Sequence, residues 1–180
     1  MNPSFMRFMR KLRCLFIGFI FLPAILRAVD VVTILRRDAG RCALAWQRGD
    51  CEGIVGYLPP QVIARSGGRA AVLRDLKDQF AQARALGAER MQALPGRPSA
   101  PRRIGRWLTA VLPATAILHG AHLELTQQTR VLALSSDGGQ HWYFLLLYQV
   151  TPADLKAWFP ELAGKIALPA DPPPQMDVIF

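Results

Sequence analysis

The sequence predicts an α+β domain, with helices in the first half of the chain and an antiparallel sheet in the second. Apolar residues recur at helical spacing on one face of residues 30–48 and again of residues 69–86. From Trp107 onward, long β-leaning segments are separated by glycine turns. Thr151, Pro152 and Asp154 then form the capping box of a short C-terminal helix.

Three helices are predicted before the sheet, over residues 30–48, 51–58 and 69–86, with one further turn at 61–64. Gly49 ends the first helix, and Asp50 can cap the second because its carboxylate accepts from free amides there. The Pro59-Pro60 pair stops the second helix. Each predicted boundary therefore depends on a residue with a local physical reason to be there.

Four strands are predicted, over residues 89–94, 107–118, 123–135 and 141–150. Pro113 must lie at an edge or a bulge, because proline cannot donate to the hydrogen-bond ladder. The last strand is apolar on both faces, which is typical of a central strand covered on both sides. The N-terminal helices can cover one face, and the C-terminal helix, a loop or a second subunit the other. Residues 95–103 are predicted as a loop, and residues 170–180 as a proline-rich tail.

The last two predicted strands are joined by a structural turn. Asp137-Gly138-Gly139 is a sequence that tolerates positive φ. With Ser135 and Trp142, it resembles the Asp box of sialidases, a hairpin staple in which Asp bonds the turn and Trp packs beneath it. A propeller needs several blades of roughly 40–45 residues each, so a single copy indicates a turn and excludes the glycosidase interpretation.

The N-terminus predicts export. Four basic residues precede the apolar run of residues 14–26, and the small residue Ala28 follows it, the order found in secretory signals. The run is shorter than the roughly 20 residues of a membrane span. We therefore expect a signal peptide over residues 1–28 and a periplasmic or secreted domain. The alternative is an inner-membrane protein anchored by an uncleaved N-terminal segment.

Charge gives little reason to expect a nucleic-acid partner. Of 22 basic residues, five lie in residues 1–28, which contain no acidic residue, so 17 basic and 13 acidic residues remain. The one basic cluster, Arg97, Arg102, Arg103 and Arg106, is interleaved with prolines. We interpret it as a solvated loop in preference to an anion or membrane-surface site.

Two cysteines remain after the predicted signal. An oxidising compartment permits a disulfide between Cys42 and Cys51. Such a short loop would stabilise the domain by roughly 2–3 kcal/mol. Cys42 lies inside one predicted helix and Cys51 begins the next, so their Cα atoms can be too far apart to bridge. Two buried thiols are the alternative.

Several short motifs resemble the nuclear-transport-factor-2-like fold, which includes polyketide-cyclase-like proteins, and small exported bacterial proteins of unassigned function. They are Trp46-x-x-Gly49-Asp50, Pro59-Pro60, Gly67-Gly68, Ser135-x-Asp137-Gly138-Gly139-x-x-Trp142-x-Phe144 and Phe159-Pro160-Glu161-Leu162. The resemblance implies a domain over residues 29–169, in which helices pack on a curved, cone-like sheet. It also implies a pocket between helices and sheet, and a homodimer formed through the sheet.

Five residues are candidates for the lining of that pocket: Trp46, Tyr57, Trp107, Glu124 and Tyr143. The aromatic side chains suit an apolar ligand, although ordinary core packing also explains them. Glu124 is a candidate general base if burial raises its pKa. His119, His122 and His141 lack the spacing of a zinc motif, so we expect no metal and no cofactor.

These observations favour a non-catalytic domain that binds a small apolar ligand or a partner protein. The fold that the motifs resemble contains a pocket, but no acid–base residues of its enzymes can be matched here. The alternative is an isomerase, cyclase or hydrolase that uses a buried carboxylate or histidine in the cone. Whether the protein is an enzyme is left open by the sequence.

Overall fold

The computed structural model describes residues 22–121, 123–168 and 175–178. Helices precede a strongly curled antiparallel half-barrel sheet, and a short helix follows most of it. The predicted α+β class is therefore confirmed. Residues 1–21 of the predicted signal peptide, which covers residues 1–28, lie outside the described residues. Among the described residues, no helix has the length and apolar character that spanning a membrane requires.

Helix α1 spans Leu22–Arg48, so its beginning at residue 30 was predicted too late. Pro23 is its second residue. Proline is tolerated in the first turn of a helix, because backbone amides there have no hydrogen-bond partner within the helix. The apolar stripe is confirmed at Leu35 and Ala39, which are buried against the sheet. Gly49 ends the helix with a φ of 65°, as predicted.

Three shorter helices follow, namely α2 (Cys51–Gly56), α3 (Pro60–Arg65) and α4 (Arg69–Ala85). Asp50 caps α2 as predicted, its Oδ1 accepting from the Gly53 amide at 2.9 Å. The end of α1 packs with α2 and α4 around one apolar cluster, which we call the helical cluster: Ala45, Cys51, Ile54, Val55, Val72, Leu76 and Phe80.

The strands of the sheet are β1 (Ala88–Pro95), β2 (Arg102–Ile104), β3 (Trp107–Gly120), β4 (Leu123–Ser135), β5 (Tyr143–Leu146) and β6 (Gln175–Val178). Their order is β1-β3-β4-β5, with β2 also beside β3 and β6 also beside β4, and all pairs are antiparallel. Strand β2 corrects the loop predicted over 95–103, because the turn at Gly105 folds this segment back on β3. Strand β6 extends part of the predicted tail along β4.

Pro113 lies inside β3, yet its side of the strand is locally an edge. Its carbonyl accepts from the Gly96 amide at 2.7 Å, just after β1 has ended at Pro95. In an antiparallel strand the amide and carbonyl of one residue point to the same side, so the missing amide faces this gap between β1 and β2. The prediction of an edge position therefore holds locally.

Strand β5 is shorter than predicted and is not central. It covers Tyr143–Leu146 and then becomes a turn of 3₁₀ helix at Leu147–Gln149. It is last in the strand order, and its Phe144 amide donates to the Tyr57 carbonyl at 2.8 Å in place of a further strand. Strand β5 is apolar on both faces because packed layers cover both sides of the sheet. Such layers can cover an edge strand as well as a central one.

Two apolar clusters lie on opposite faces of the sheet. We call the side packed against α1 the α1 face, whose buried residues are Leu35, Ala39, Ala110, Leu112, Val131, Ala133, Trp142 and Phe144. Helix α5 (Pro152–Trp158) begins with the predicted capping box. On the opposite side of the sheet, which we call the α5 face, Trp107, Leu132, Leu134 and Leu145 pack with Leu155, Phe159 and Leu162. The C-terminal segment is therefore the cover for the second face.

Candidate functional site

A groove lies between α1 and the end of β1. It has a volume of about 380 Å³ and is lined by Arg36, Ala39, Pro95, Gly96, Arg97, Pro98 and Leu112. Arg36 and Ala39 are one helical turn apart on α1, and Leu112 lies on β3. The other four lining residues are the last residue of β1 and the three residues that follow it. A volume of this size falls within the roughly 300–1,000 Å³ of small-molecule sites.

Hydrogen bonds to β3 hold the outer wall of the groove. Beyond the Gly96 bond to Pro113, the Ser99 amide donates to the Val111 carbonyl at 2.8 Å. The Val111 amide donates in return to Ser99 Oγ at 3.0 Å. A Cβ on Gly96 would lie 2.8 Å from Pro113 Cγ, so only glycine fits this close approach. The segment 95–98 is thus fixed to the sheet at both of its ends.

The floor of the groove is apolar. Ala39 and Leu112 are buried and belong to the α1-face cluster, while Pro95 and Pro98 supply further apolar surface. No lining residue among those described is an aspartate, glutamate, histidine, serine or cysteine. The described lining therefore contains no carboxylate or imidazole that could act as a general acid or base, and no serine or cysteine nucleophile.

Two arginines give the groove its charge. Arg36 comes from α1 and Arg97 from the segment after β1, and both are exposed. The arginine ion pairs among the described residues are Arg37 with Asp38, Arg69 with Glu52 and Arg106 with Glu161. Neither groove arginine takes part in one, so the described residues leave a net positive charge at this site.

A second polar cluster surrounds Asp38, which is 2% exposed. Its Oδ2 accepts from the Trp142 amide at 3.2 Å, and its Oδ1 accepts from Arg37 Nε at 2.9 Å. His141 Nδ1 lies 3.9 Å from Oδ2, beyond hydrogen-bond distance. This arrangement anchors α1 to the chain that enters β5, which is a structural role.

Aromatic rings cover this anchor. The ring of His141 stacks on Tyr57 at 5.7 Å and meets the edge of Tyr143 at 4.7 Å. The pKa of Tyr57 is raised, first by burial and then by the negative charge of Asp38. A phenol whose pKa is raised stays protonated at neutral pH, so Tyr57 can donate a hydrogen bond there but is a poor base.

The five predicted pocket residues lie in four places. Trp46 packs on Phe80 beside the helical cluster, with ring centroids 5.6 Å apart. Trp107 is 2% exposed on the α5 face, edge-on to Phe159 at 5.3 Å. Both are therefore packed against other parts of the domain, and neither lines the groove.

None of the other three predicted residues lines the groove. Glu124 shares the alternation of Leu132 and Leu134 along β4, which places it on the α5 face, opposite the groove. Its Oε2 lies 2.9 Å from His119 Nδ1 across the strand pair. Tyr57 and Tyr143 both contact the ring of His141, and they lie apart from the other three predicted pocket residues.

Cys42 and Cys51 are free thiols in the structure. Cys42 packs with the α1-face cluster and Cys51 belongs to the helical cluster, so each side chain is held in a different apolar environment. Burial raises the pKa of Cys42 to about 12. A thiol with so high a pKa remains protonated at neutral pH and is a poor nucleophile.

The turn after β4 is closed by side-chain hydrogen bonds. Ser135 Oγ donates to Asp137 Oδ1 at 2.7 Å and accepts from the Gly139 amide at 2.8 Å. Asp137 Oδ1 also accepts from the amides of Gln140 and His141. Burial raises the pKa of Asp137, but these hydrogen bonds outweigh it and the pKa is lowered. Trp142 is fully buried below.

Histidines do not assemble a metal site in the described part of the chain. No group of three or more His, Cys, Asp or Glu residues there is placed to hold a metal ion. His119 and His141 lie in separate clusters, with Glu124 and with Asp38 respectively. His122, the third member of the set considered from the sequence, lies outside the described residues.

The sequence contains only weak signals for the groove. Arg97 belongs to the basic stretch interpreted as a solvated loop, and Arg36 stands one residue after the buried Leu35 of α1. The prolines at 95 and 98 indicate a stiff segment after β1. None of these signals indicates which helix faces the segment after β1. The sequence therefore does not predict that the two arginines lie in the same groove.

Comparison with known proteins adds no named counterpart to this geometry. No family model, no curated protein and no solved structure matches the chain. The nuclear-transport-factor-2-like resemblance therefore stays a prediction.

Proposed function

We propose that this domain binds a small, mainly apolar ligand without transforming it, in the groove between α1 and the end of β1. The observation that carries the proposal is the apolar floor made by Ala39 and Leu112 inside a groove of about 380 Å³. A concave site of this size with few polar groups is the usual form of a small-molecule site.

The lining supports binding over catalysis. An isomerase, cyclase or hydrolase of the kind considered from the sequence needs an acid or base that touches the substrate. The described groove has none. The buried carboxylate on α1, Asp38, is engaged by Arg37 and by a backbone amide instead. A partner protein is the less favoured occupant, because seven described residues line the groove, whereas each side of a stable complex contributes roughly 20–30 residues.

Two further proposals accompany this one. The first is that the domain belongs to the nuclear-transport-factor-2-like group, and the curled sheet beside N-terminal helices supports it. The second is that the chain is exported, which the basic and apolar order of residues 1–28 supports. Both are independent of the ligand and are tested separately.

Fluorescence of the neutral apolar probe N-phenyl-1-naphthylamine tests the binding proposal, using the protein as it accumulates in cells. We expect the fluorescence to rise and saturate as protein is added. The variant Pro98→Phe places a large ring at the groove wall and should abolish most of the rise. The matched control Ala100→Phe adds the same ring to an exposed position in the same segment, outside the lining, and should keep the rise.

Thermal unfolding of both variants shows whether they are folded. Absence of a saturable rise with the unaltered protein would overturn the proposal. An equal loss in both folded variants would also overturn it, because the probe would then bind elsewhere.

A further inference from the structure

We infer that the ligand of this groove is an amphipathic anion, whose apolar body lies on the floor and whose single anionic group is held between Arg36 and Arg97. This inference rests on the proposed function. It adds the chemical class of the ligand, which an apolar floor alone does not specify.

The first step is the convergence of two cations from distant parts of the chain. Arg36 belongs to α1 and Arg97 to the segment after β1, yet both line one small groove. Hydrogen bonds from Gly96 and Ser99 to β3 fix that segment on either side of Arg97. These backbone hydrogen bonds therefore hold the main chain of Arg97 in place beside the groove.

The second step is the lack of a counter-charge. Neither groove arginine forms an ion pair with a carboxylate of the described residues. Asp38 is close in sequence to Arg36, but its oxygens are used by Arg37 and by the Trp142 amide. Two like charges in one groove repel each other, and an anion between them relieves that repulsion.

The third step is the chemistry of arginine beside apolar surface. A guanidinium group offers several donors in one plane and matches carboxylate or phosphate oxygens. Ala39, Leu112, Pro95 and Pro98 offer contacts to hydrocarbon only. The groove therefore suits one molecule with both an anionic group and an apolar body, and it disfavours a cation.

Displacement of N-phenyl-1-naphthylamine by eight-carbon amphiphiles tests the inference. The competitors are octanoate and octyl phosphate as anions, 1-octanol as the neutral match and octylamine as the cationic match. We expect at least one anion to displace the probe about tenfold more effectively than 1-octanol, since hydrogen bonds to charged groups are stronger than neutral ones. Octylamine should be weaker than 1-octanol. The two anions together identify whether carboxylate or phosphate is preferred.

Arginine variants locate the effect. Arg36→Gln and Arg97→Gln should each remove most of the advantage of the anion, measured within each variant as the ratio of displacement by the anion to displacement by 1-octanol. The matched control Arg103→Gln removes the same charge from an exposed position on β2, outside the lining, and should keep the advantage.

The outcomes separate this inference from the proposed function. If the probe does not bind the unaltered protein at all, the proposed function fails. If the probe binds but 1-octanol displaces it as well as both anions do, only the inference fails. An equal loss in Arg103→Gln would also overturn it, because the preference would then come from the overall positive charge.

Discussion

Asp38 is a charged residue that the fold buries, and it illustrates how single side chains join distant elements. Its carboxylate accepts from Arg37 beside it and from the Trp142 amide, which lies more than 100 positions further along the chain. A buried carboxylate is stable only when its oxygens have such partners. We therefore interpret Asp38 as the residue that fixes α1 to the turn before β5.

Replacement of Asp38 tests this role. We expect Asp38→Ala to lower the free energy of unfolding by about 2 kcal/mol, because it leaves the buried Trp142 amide without its partner. Urea denaturation measures the change. The control Asp78→Ala removes an exposed carboxylate on α4 and should change stability by less than about 0.5 kcal/mol. Equal effects of the two variants would contradict the structural role of Asp38.

Asp137 makes the stability of the domain depend on pH. Its pKa is lowered from the ordinary value of 3.8, because hydrogen bonds from Ser135 and from backbone amides outweigh the effect of burial. A lowered pKa in the folded state means that the carboxylate stabilises the fold above about pH 4 and loses that effect as the pH falls further.

The variant Asp137→Asn isolates this dependence. We expect it to be less stable than the unaltered protein at pH 7, and the difference between the two to shrink as the pH is lowered below about 4. Urea denaturation at a series of pH values measures this difference. A gap that stays constant from pH 7 to pH 2 would show that the ionisation of Asp137 contributes nothing.

At the scale of elements, Gly40 in helix α1 and Gly53 in helix α2 have opposite consequences for stability. Gly40 lies in the middle of α1, and a Cβ there would meet no atom within 4 Å. Gly53 lies in α2, where a Cβ would approach the Asp50 carboxyl carbon to 2.9 Å and the Ala45 methyl to 3.2 Å. Gly40 therefore affects stability only through its low helix propensity, whereas Gly53 leaves space for the capping side chain of Asp50.

Alanine substitutions at these positions should change stability in opposite directions. We expect Gly40→Ala to stabilise the domain by about 0.5–1 kcal/mol, the usual difference in helix propensity. Gly53→Ala should destabilise it, because the added methyl displaces the capping carboxylate of Asp50. Thermal unfolding of the two variants measures both effects. Stabilisation by Gly53→Ala would contradict the packing described around Asp50.

At the scale of the whole molecule, export predicts a specific chain mass. Cleavage after Ala28 would leave a chain that begins at Val29. We expect denaturing mass spectrometry of the protein from its own cell envelope to give the mass of residues 29–180. The mass of the full chain would instead support the uncleaved, membrane-anchored alternative.

Dimerisation through the sheet is a second prediction at this scale. Beyond Pro113, the α5 face of β3 and β4 carries half-buried and exposed residues, among them Ile117 and Gln128. A second copy would pack there in the dimer that the fold resemblance implies. We expect native mass spectrometry to give twice the chain mass, and Ile117→Lys to give the single mass with an unchanged thermal transition. A single mass for the unaltered protein would remove this prediction.

The parts of the fold that the sequence determined by itself are those with local causes. Gly49 and Asp50 end one helix and begin the next, and Thr151 with Asp154 begins the last. Asp137-Gly138-Gly139 turns the chain between β4 and β5. Each depends on hydrogen bonds or backbone angles within a few residues, so composition and spacing are sufficient to predict it.

Only the tertiary structure decided which residues form the groove. Arg36, Arg97 and Leu112 come from three elements, and their meeting depends on the strand register and on the gap in the sheet at Pro113. The predicted pocket aromatics were separated for the same reason, since apolar periodicity shows that a side chain is buried but not against which partner. The position of β5 at the sheet edge likewise depends on Tyr57, a contact between distant segments.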